Sequence, residues 1–187
     1  MDQQSQLAAI LGSEPVPFET LISHLMSSSN EQRSHAEALF NVCKQSDPDP
    51  DALCLHLAHL LQVCAQPDTR AMAAILLRKL LTRDDSYIWP RLTHSSIKSV
   101  LLNQIQVETA QSLSQKLCDT VSELASSILP ENGWPELLPF MFQCVSSDSP
   151  RFQDSAFLIF AQLSQYIGDV LTSFIKDLHT VFLKCFE

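Results

Sequence analysis

Apolar residues along the chain recur mainly at intervals of three and four, the spacing that lays a single buried stripe along an α-helix. After a polar start with a short helical pattern around Leu7 to Leu11, ended by Gly12, the first firm stripe is Phe18, Leu21, Ile22 and Leu25. A second follows the Ser28–Asn30 cluster, a ready N-cap, and carries Ala36, Leu39, Phe40 and Cys43. The run Asp47-Pro48-Asp49-Pro50-Asp51 then breaks the chain. Asp49 as N-cap with Pro50 at the first helical position predicts a third helix, striped by Leu53, Leu57, Leu60, Leu61 and Cys64. Pro67-Asp68 introduces a fourth, Ala71 to Leu81, which is apolar around nearly its whole circumference and so must be covered on several sides.

Beyond a loop around Asp84 to Pro90 the pattern repeats. Ile97, Val100, Leu101 and Ile105 mark one helix, and Leu113, Leu117, Val121, Leu124 and Ile128 the next. Pro130 to Pro135 breaks the chain again, and a helix from about Trp134 to Val145 follows, with Pro139 expected to kink it. Ser149-Pro150 is a second N-cap and proline pair, leading into Phe152, Ala156, Ile159, Phe160, Leu163 and Ile167. The last stripe is Leu171, Phe174, Ile175, Leu178, Phe182 and Cys185.

These helices come in pairs whose first members begin near Phe18, Pro50, Thr93, Trp134 and Val170. A recurrence of roughly 30–45 residues is that of stacked helical hairpins of the HEAT and armadillo kind, in which one hairpin cannot bury its apolar face alone. The expected fold is all-α, a right-handed α-α superhelix of about four and a half hairpins; a compact irregular helical domain is the alternative. The tighter tetratricopeptide repeat, with its Trp/Gly/Tyr pattern, is not found. Residues 1–17 read as a polar segment with a short helix and 18–187 as the solenoid. It is expected to stop after the first helix of a fifth pair, leaving that helix short of cover.

Composition agrees with helices: only 3 Gly occur, and most of the 10 Pro lie between the stripes. The formal charge is −9, from 12 Lys and Arg against 21 Asp and Glu, which disfavours direct nucleic-acid binding and weakly favours basic protein partners. No signal-peptide pattern opens the chain, and the longest strongly apolar run, Ala71 to Leu77, is far too short to cross a bilayer. No membrane insertion is expected. The six cysteines, Cys43, Cys54, Cys64, Cys118, Cys144 and Cys185, contain no CxxC pair and read as reduced, small core residues.

Candidate chemistry is sparse. Asp47, Asp49 and Asp51 mimic the opening of a calcium loop, but Ala52 and Ala58 stand where Gly and Glu are needed, so helix capping explains them better. Cys54, His56, His59 and Cys64 share one helix, where Cys54 and His56 point about 200° apart and cannot converge on one zinc ion. Phosphate-binding, dinucleotide and nucleophile-elbow motifs are absent. Neither an enzyme nor a cofactor is expected, and a metal-dependent hydrolase stands only as a formal alternative. Trp134 is expected to be a packed anchor at a repeat junction.

The ordered motifs Asn30-Glu31-Gln32-Arg33 with Ala36-Glu37 and Leu39, then Arg70 and Ala73 to Leu81, resemble the amino-terminal domain of the importin-β (karyopherin-β) family. Arg70-x-Met72-Ala73-Ala74, Leu76 to Leu81, Ile97-Lys98-Ser99, Gln106-x-Glu108-Thr109, Lys116-x-Cys118-Asp119 and Trp134-Pro135-Glu136 are similar to its importin-5 branch. The resemblance runs from about Leu7 to Glu187. It implies a piece of a longer nuclear import receptor that shuttles between cytoplasm and nucleus through the pore. The implied partners are RanGTP, Phe-Gly nucleoporins and basic protein cargo such as ribosomal proteins or histones, with most of the cargo site lying in later repeats. RanGTP would face the second helix of each pair. Arg33, Glu37, Arg70, Arg78, Lys79, Arg151 and Gln153 are the residues this implies. Plainer readings are a surface pair one turn apart for Arg33 and Glu37, cations snorkelling from a helix edge for Arg78 and Lys79, and a salt bridge near its helix start for Arg70. A HEAT scaffold with no Ran dependence, such as a phosphatase regulatory subunit, is the rival function.

Overall fold

Helical stripes dominate the structure as they dominate the sequence. The computed structural model describes residues 3–46, 50–81, 91–129 and 133–164, with positions 172, 176, 179, 180 and 183. Among these residues the order is α1 (Gln3–Ile10), α2 (Pro15–Leu25), α3 (Asn30–Ser46), α4 (Pro50–Val63), α5 (Pro67–Leu81), α6 (Arg91–Val107), α7 (Gln111–Ile128), α8 (Leu137–Val145) and α9 (Pro150–Leu163), with no strand. The Asp47–Asp49 cap, the Asp84–Pro90 loop, Ile167 and the stripe from Leu171 to Cys185 lie outside the described residues.

The chain forms two units, Met1–Val100 and Leu101–Glu187, with the boundary inside α6. In the first, α2 pairs with α3 and α4 with α5, while α1 lies on α2 and α3. Phe18, Leu21 and Ile22 of α2, Ala36, Phe40 and Cys43 of α3, and all five stripe residues from Leu53 to Cys64 are buried there. From Ala71 to Leu81 only Lys79 is exposed, as a helix apolar on all sides requires. Full burial of one such Leu or Ile stabilises by about 1.5–3 kcal/mol. Beyond the end of α1 at Ile10, position 12 suits glycine because a Cβ there would come 2.9 Å from the Ala8 carbonyl oxygen.

In the second unit, α9 packs against both α7 and α8. Leu113, Leu117, Val121 and Leu124 of α7 meet the core, with Leu137, Phe140 and Met141 of α8 and Ala156, Ile159, Phe160 and Leu163 of α9. Trp134 is 1% exposed, so it is a buried anchor. One boundary differs from the sequence reading: α8 begins at Leu137, not Trp134. Pro139 therefore stands in the first helical turn, where its missing N–H would have been unpaired anyway, and the expected cause of a kink is removed. Ser149 does cap α9 ahead of Pro150, but through its backbone. Its carbonyl accepts from the Phe152 and Gln153 amides at 3.0 and 3.1 Å, and its side chain makes no capping bond.

Candidate partner-binding surface

The second helix of a hairpin must leave a tight turn, and its first residues decide what closes that turn. In α3, Arg33 donates from Nη1 to the Ser27 carbonyl at 3.2 Å and from Nη2 to the Asn30 side chain. Its guanidinium thus faces the α2–α3 turn instead of Glu37 one turn along. In α5, Arg70 Nη1 donates to the carbonyls of Cys64 at 2.8 Å and Ala65 at 3.4 Å. In α9, Gln153 Nε2 donates to the Ser147 carbonyl at 2.8 Å. All three reach six positions back, and each is the fourth residue of its helix. They pair carbonyls of the turn just past the end of the preceding helix.

Arg151 has a different task. Its Nη1 donates to the carbonyls of Ile105 at 3.3 Å and of Glu108, and its Nη2 to that of Gln106 at 2.8 Å. The guanidinium also lies 4.5 Å from the Phe152 ring centroid. A cation at the C-terminal end of α6 complements the helix dipole. Of the remaining residues in the expected set, Glu37 and Lys79 are exposed and Arg78 is half-buried. The set therefore divides into four side chains that hold turns or helix ends, two that are exposed on their helices, and the half-buried Arg78. Arg33, Glu37, Arg70, Arg78 and Lys79 belong to the first unit, and Arg151 and Gln153 to the second.

It does form a groove that the sequence reading passed over. Thr109, Gln111, Ser114, Gln115 and Cys118 from the α7 side face Arg151, Asp154, Ser155 and Leu158 of α9 around a half-open space of about 500 Å³. Its floor is small and polar because the two helices approach closely there. Ser114 and Ser155 are buried with hydroxyl oxygens 3.3 Å apart, and Ser155 also donates to the Arg151 carbonyl at 2.9 Å. Burial pushes the Cys118 thiol up to about 11, against a hydrogen bond from Ser155 that lowers it. Burial thus favours the neutral thiol in the groove wall. Deeper along the pair, Gln162 donates to Asp119 at 2.7 Å and fixes the two helices in register. The signal in the sequence was the row of small residues, Ser114, Cys118, Ser155 and Ala156, which marks close helix approach but reads as ordinary core.

Turn and cap chemistry also explains a carboxylate left unread. Glu108 is 3% exposed, yet its Oε1 accepts from the amides of Thr109 at 3.0 Å and Ala110 at 2.9 Å. Gln104 donates to its Oε2 at 3.5 Å. Ala110 offers α7 no capping side chain, and Glu108 pairs the amide of that N-cap residue and the one before it.

The cysteine–histidine set expected on one helix is dispersed into other roles, with Cys64 standing just past the end of α4. His56 Nε2 lies 3.2 Å from the Leu11 carbonyl and its ring 5.1 Å from Phe18. Cys64 donates to Glu19 at 3.1 Å, and its thiol is pushed up mainly by burial, with that carboxylate adding to it. Cys54 is buried in the core and His59 is exposed. No cluster of His, Cys, Asp or Glu suited to a metal occurs among the described residues, and none of their helices is long and apolar enough to cross a membrane.

Residues 109–187 match the family described as IPO5-like, TPR repeats. The chain is similar to importin subunit beta-3 of Saccharomyces cerevisiae, at 27% identity over 161 residues, covering 80% of this chain and 15% of that protein. It is also similar to a probable importin-5 homolog of Dictyostelium discoideum, at 25% identity over 148 residues, 76% of this chain and 14% of the relative. Among solved structures, Kap121p aligns with TM-score 0.71 and 26% identity over 83% of this chain. Kap121p bound to RanGTP aligns with TM-score 0.69 and 25% identity over 87% of it. This chain spans about 15% of the length of these relatives. The fold is thus that of karyopherin HEAT hairpins. The first helices of successive pairs along the chain begin at Pro15, Pro50, Arg91 and Leu137, at unequal intervals unlike a strict tetratricopeptide array.

Proposed function

We propose that this chain, related in sequence and fold to the importin-5 type of the importin-β family, is a Ran-binding portion of a nuclear import receptor. One observation above all supports the reading, the alignment of 87% of this chain with Kap121p bound to RanGTP. The second helices α3, α5, α7 and α9 would offer their polar faces to RanGTP. Glu37 and Lys79 are the exposed members of the expected contact set, with half-buried Arg78 at the margin. Arg33, Arg70, Arg151 and Gln153 act behind that surface, fixing the turns from which the helices start. The groove between α7 and α9 adds Gln111, Gln115 and Asp154 as accessible polar groups.

Other solved forms of Kap121p are bound to Nup53p and to Pho4p. Nucleoporins and protein cargo are accordingly the partners we assign to a complete receptor, with basic cargo such as ribosomal proteins or histones suited to an acidic surface. Cargo release would follow from linkage, since RanGTP and cargo bind one flexible array with mutually opposed preferences. The sites of action are the cytoplasm, the nucleus and the pore between them.

Retention of purified Ran on the immobilised 187-residue chain tests this directly. The GTP-locked form is expected to be retained and the GDP-loaded form not. Equal retention of both, or of neither, overturns the reading and leaves the HEAT scaffold without Ran dependence as the better account.

A further inference from the structure

Three hairpin turns are closed from within, by Arg33 on Ser27, Arg70 on Cys64 and Gln153 on Ser147. The α6–α7 turn is closed differently. The fourth residue of α7 is Ser114, whose short side chain is engaged with Ser155 across the helix pair. The carbonyls of Ile105, Gln106 and Glu108 at this turn are taken instead by Arg151, which belongs to α9 and lies more than forty positions along the chain. The turn's own acid, Glu108, holds the amide of Thr109 and that of Ala110, the N-cap residue of α7. Arg151 therefore holds the main chain of the residue whose side chain pairs the α7 N-cap amide.

We propose that Arg151 is a cross-repeat latch, which keeps the α6–α7 turn closed only while α9 is docked. The planar fork suits this task, because one side chain can serve several carbonyls at once. Phe152 steadies it by lying against the guanidinium face. The same side chain forms part of the wall of the α7–α9 groove. Anything that draws Arg151 into the groove, or shifts α9, opens the end of α6 and the start of α7 together. At the other three turns the clamp comes from the fourth residue of the helix that the turn itself starts. The latch lies wholly within the second unit and stands whether or not the chain binds Ran.

Hydrogen exchange on the 187-residue chain, read by mass spectrometry, tests the latch with Arg151→Ala, Arg151→Lys and Arg70→Ala. In Arg151→Ala the amides of Glu108, Thr109, Ala110, Leu113 and Ser114 are expected to lose about tenfold or more of their protection, as loss of charge-assisted bonds predicts. Protection across α2 to α5 is expected to stay unchanged. Arg70→Ala is expected to loosen residues 64–70 and leave the α6–α7 turn alone. Arg151→Lys, which keeps the charge and loses the fork, should fall between wild type and Arg151→Ala. Unchanged protection at the α6–α7 turn in Arg151→Ala overturns the latch, as does equal loosening of that turn by Arg70→Ala. Should Arg151→Ala unfold the whole chain, Arg151→Lys decides: selective loss at the turn supports the latch, and uniform loss or none overturns it.

Discussion

Burial holds the thiols of Cys118 and Cys144 protonated, with pKa values pushed up to about 11 from 9.0. A raised acid pKa means that the folded state favours the neutral form. Its contribution is complete below the unfolded value and is lost as pH rises through the window from 9 to about 11. Two units on a buried thiol correspond to about 3 kcal/mol at most. Urea midpoints at pH 8 and pH 10.5 should therefore fall less in Cys118→Ala than in the wild type. An identical fall in the two proteins would contradict the buried-thiol account. A second residue-scale effect belongs to Gly133, whose amide donates to the Ile128 carbonyl at 2.8 Å. A Cβ there would meet that oxygen at 2.7 Å and the Ile128 Cβ at 3.0 Å. Gly133→Ala is expected to cost about 1–3 kcal/mol, measured by chemical denaturation. The cysteines were legible in the sequence as small core residues, and all five described ones are buried and outside any disulfide. Gly133 was not, because its need for space arises from a turn that returns onto α7.

Among the elements, helix positions were legible because burial itself writes the period. The stripe at Leu53, Leu57, Leu60, Leu61 and Cys64 is apolar because every one of those side chains is enclosed. The ends were read less well. The Trp134 boundary slipped to Leu137 because Trp134 is buried before the helix starts, and burial alone does not distinguish the two states. Harder still were Arg33, Arg70 and Gln153. Their positions on second helices suggested a shared role, but a hydrogen bond six residues backward has no hydrophobic signature. The clamps make a graded prediction. Arg33→Ala and Arg70→Ala each remove a charged donor and should cost about 1.5–3 kcal/mol, whereas the neutral Gln153→Ala should cost about 1 kcal/mol. Equilibrium urea unfolding gives the order. A larger loss for Gln153→Ala than for Arg70→Ala would contradict the turn-clamp assignment.

At the scale of the whole molecule, stability and recognition draw on different side chains, and that separation can be measured. A residue that closes a turn alters partner binding only through the amount of folded chain. A residue on an outer face alters binding without altering the fold. Glu37 and Lys79 stand on outer faces of α3 and α5, so the paired reversal Glu37→Lys with Lys79→Glu should shift stability by no more than about 0.5 kcal/mol. If these helices face Ran, the same reversal should weaken retention of the GTP-bound form by about tenfold, since reversed charges at an interface repel what they formerly steered. Arg33→Ala and Arg70→Ala should give the opposite pattern, a lower melting temperature with undiminished binding by the folded fraction. The two measurements together separate three cases. Weakened binding at constant stability places α3 and α5 in the interface. Weakened binding that tracks the melting temperature in every variant shows that fold integrity alone is being read. Unchanged binding in the reversal moves the contact away from these faces, toward the α7–α9 groove, where Gln111, Gln115 and Asp154 become the next residues to replace.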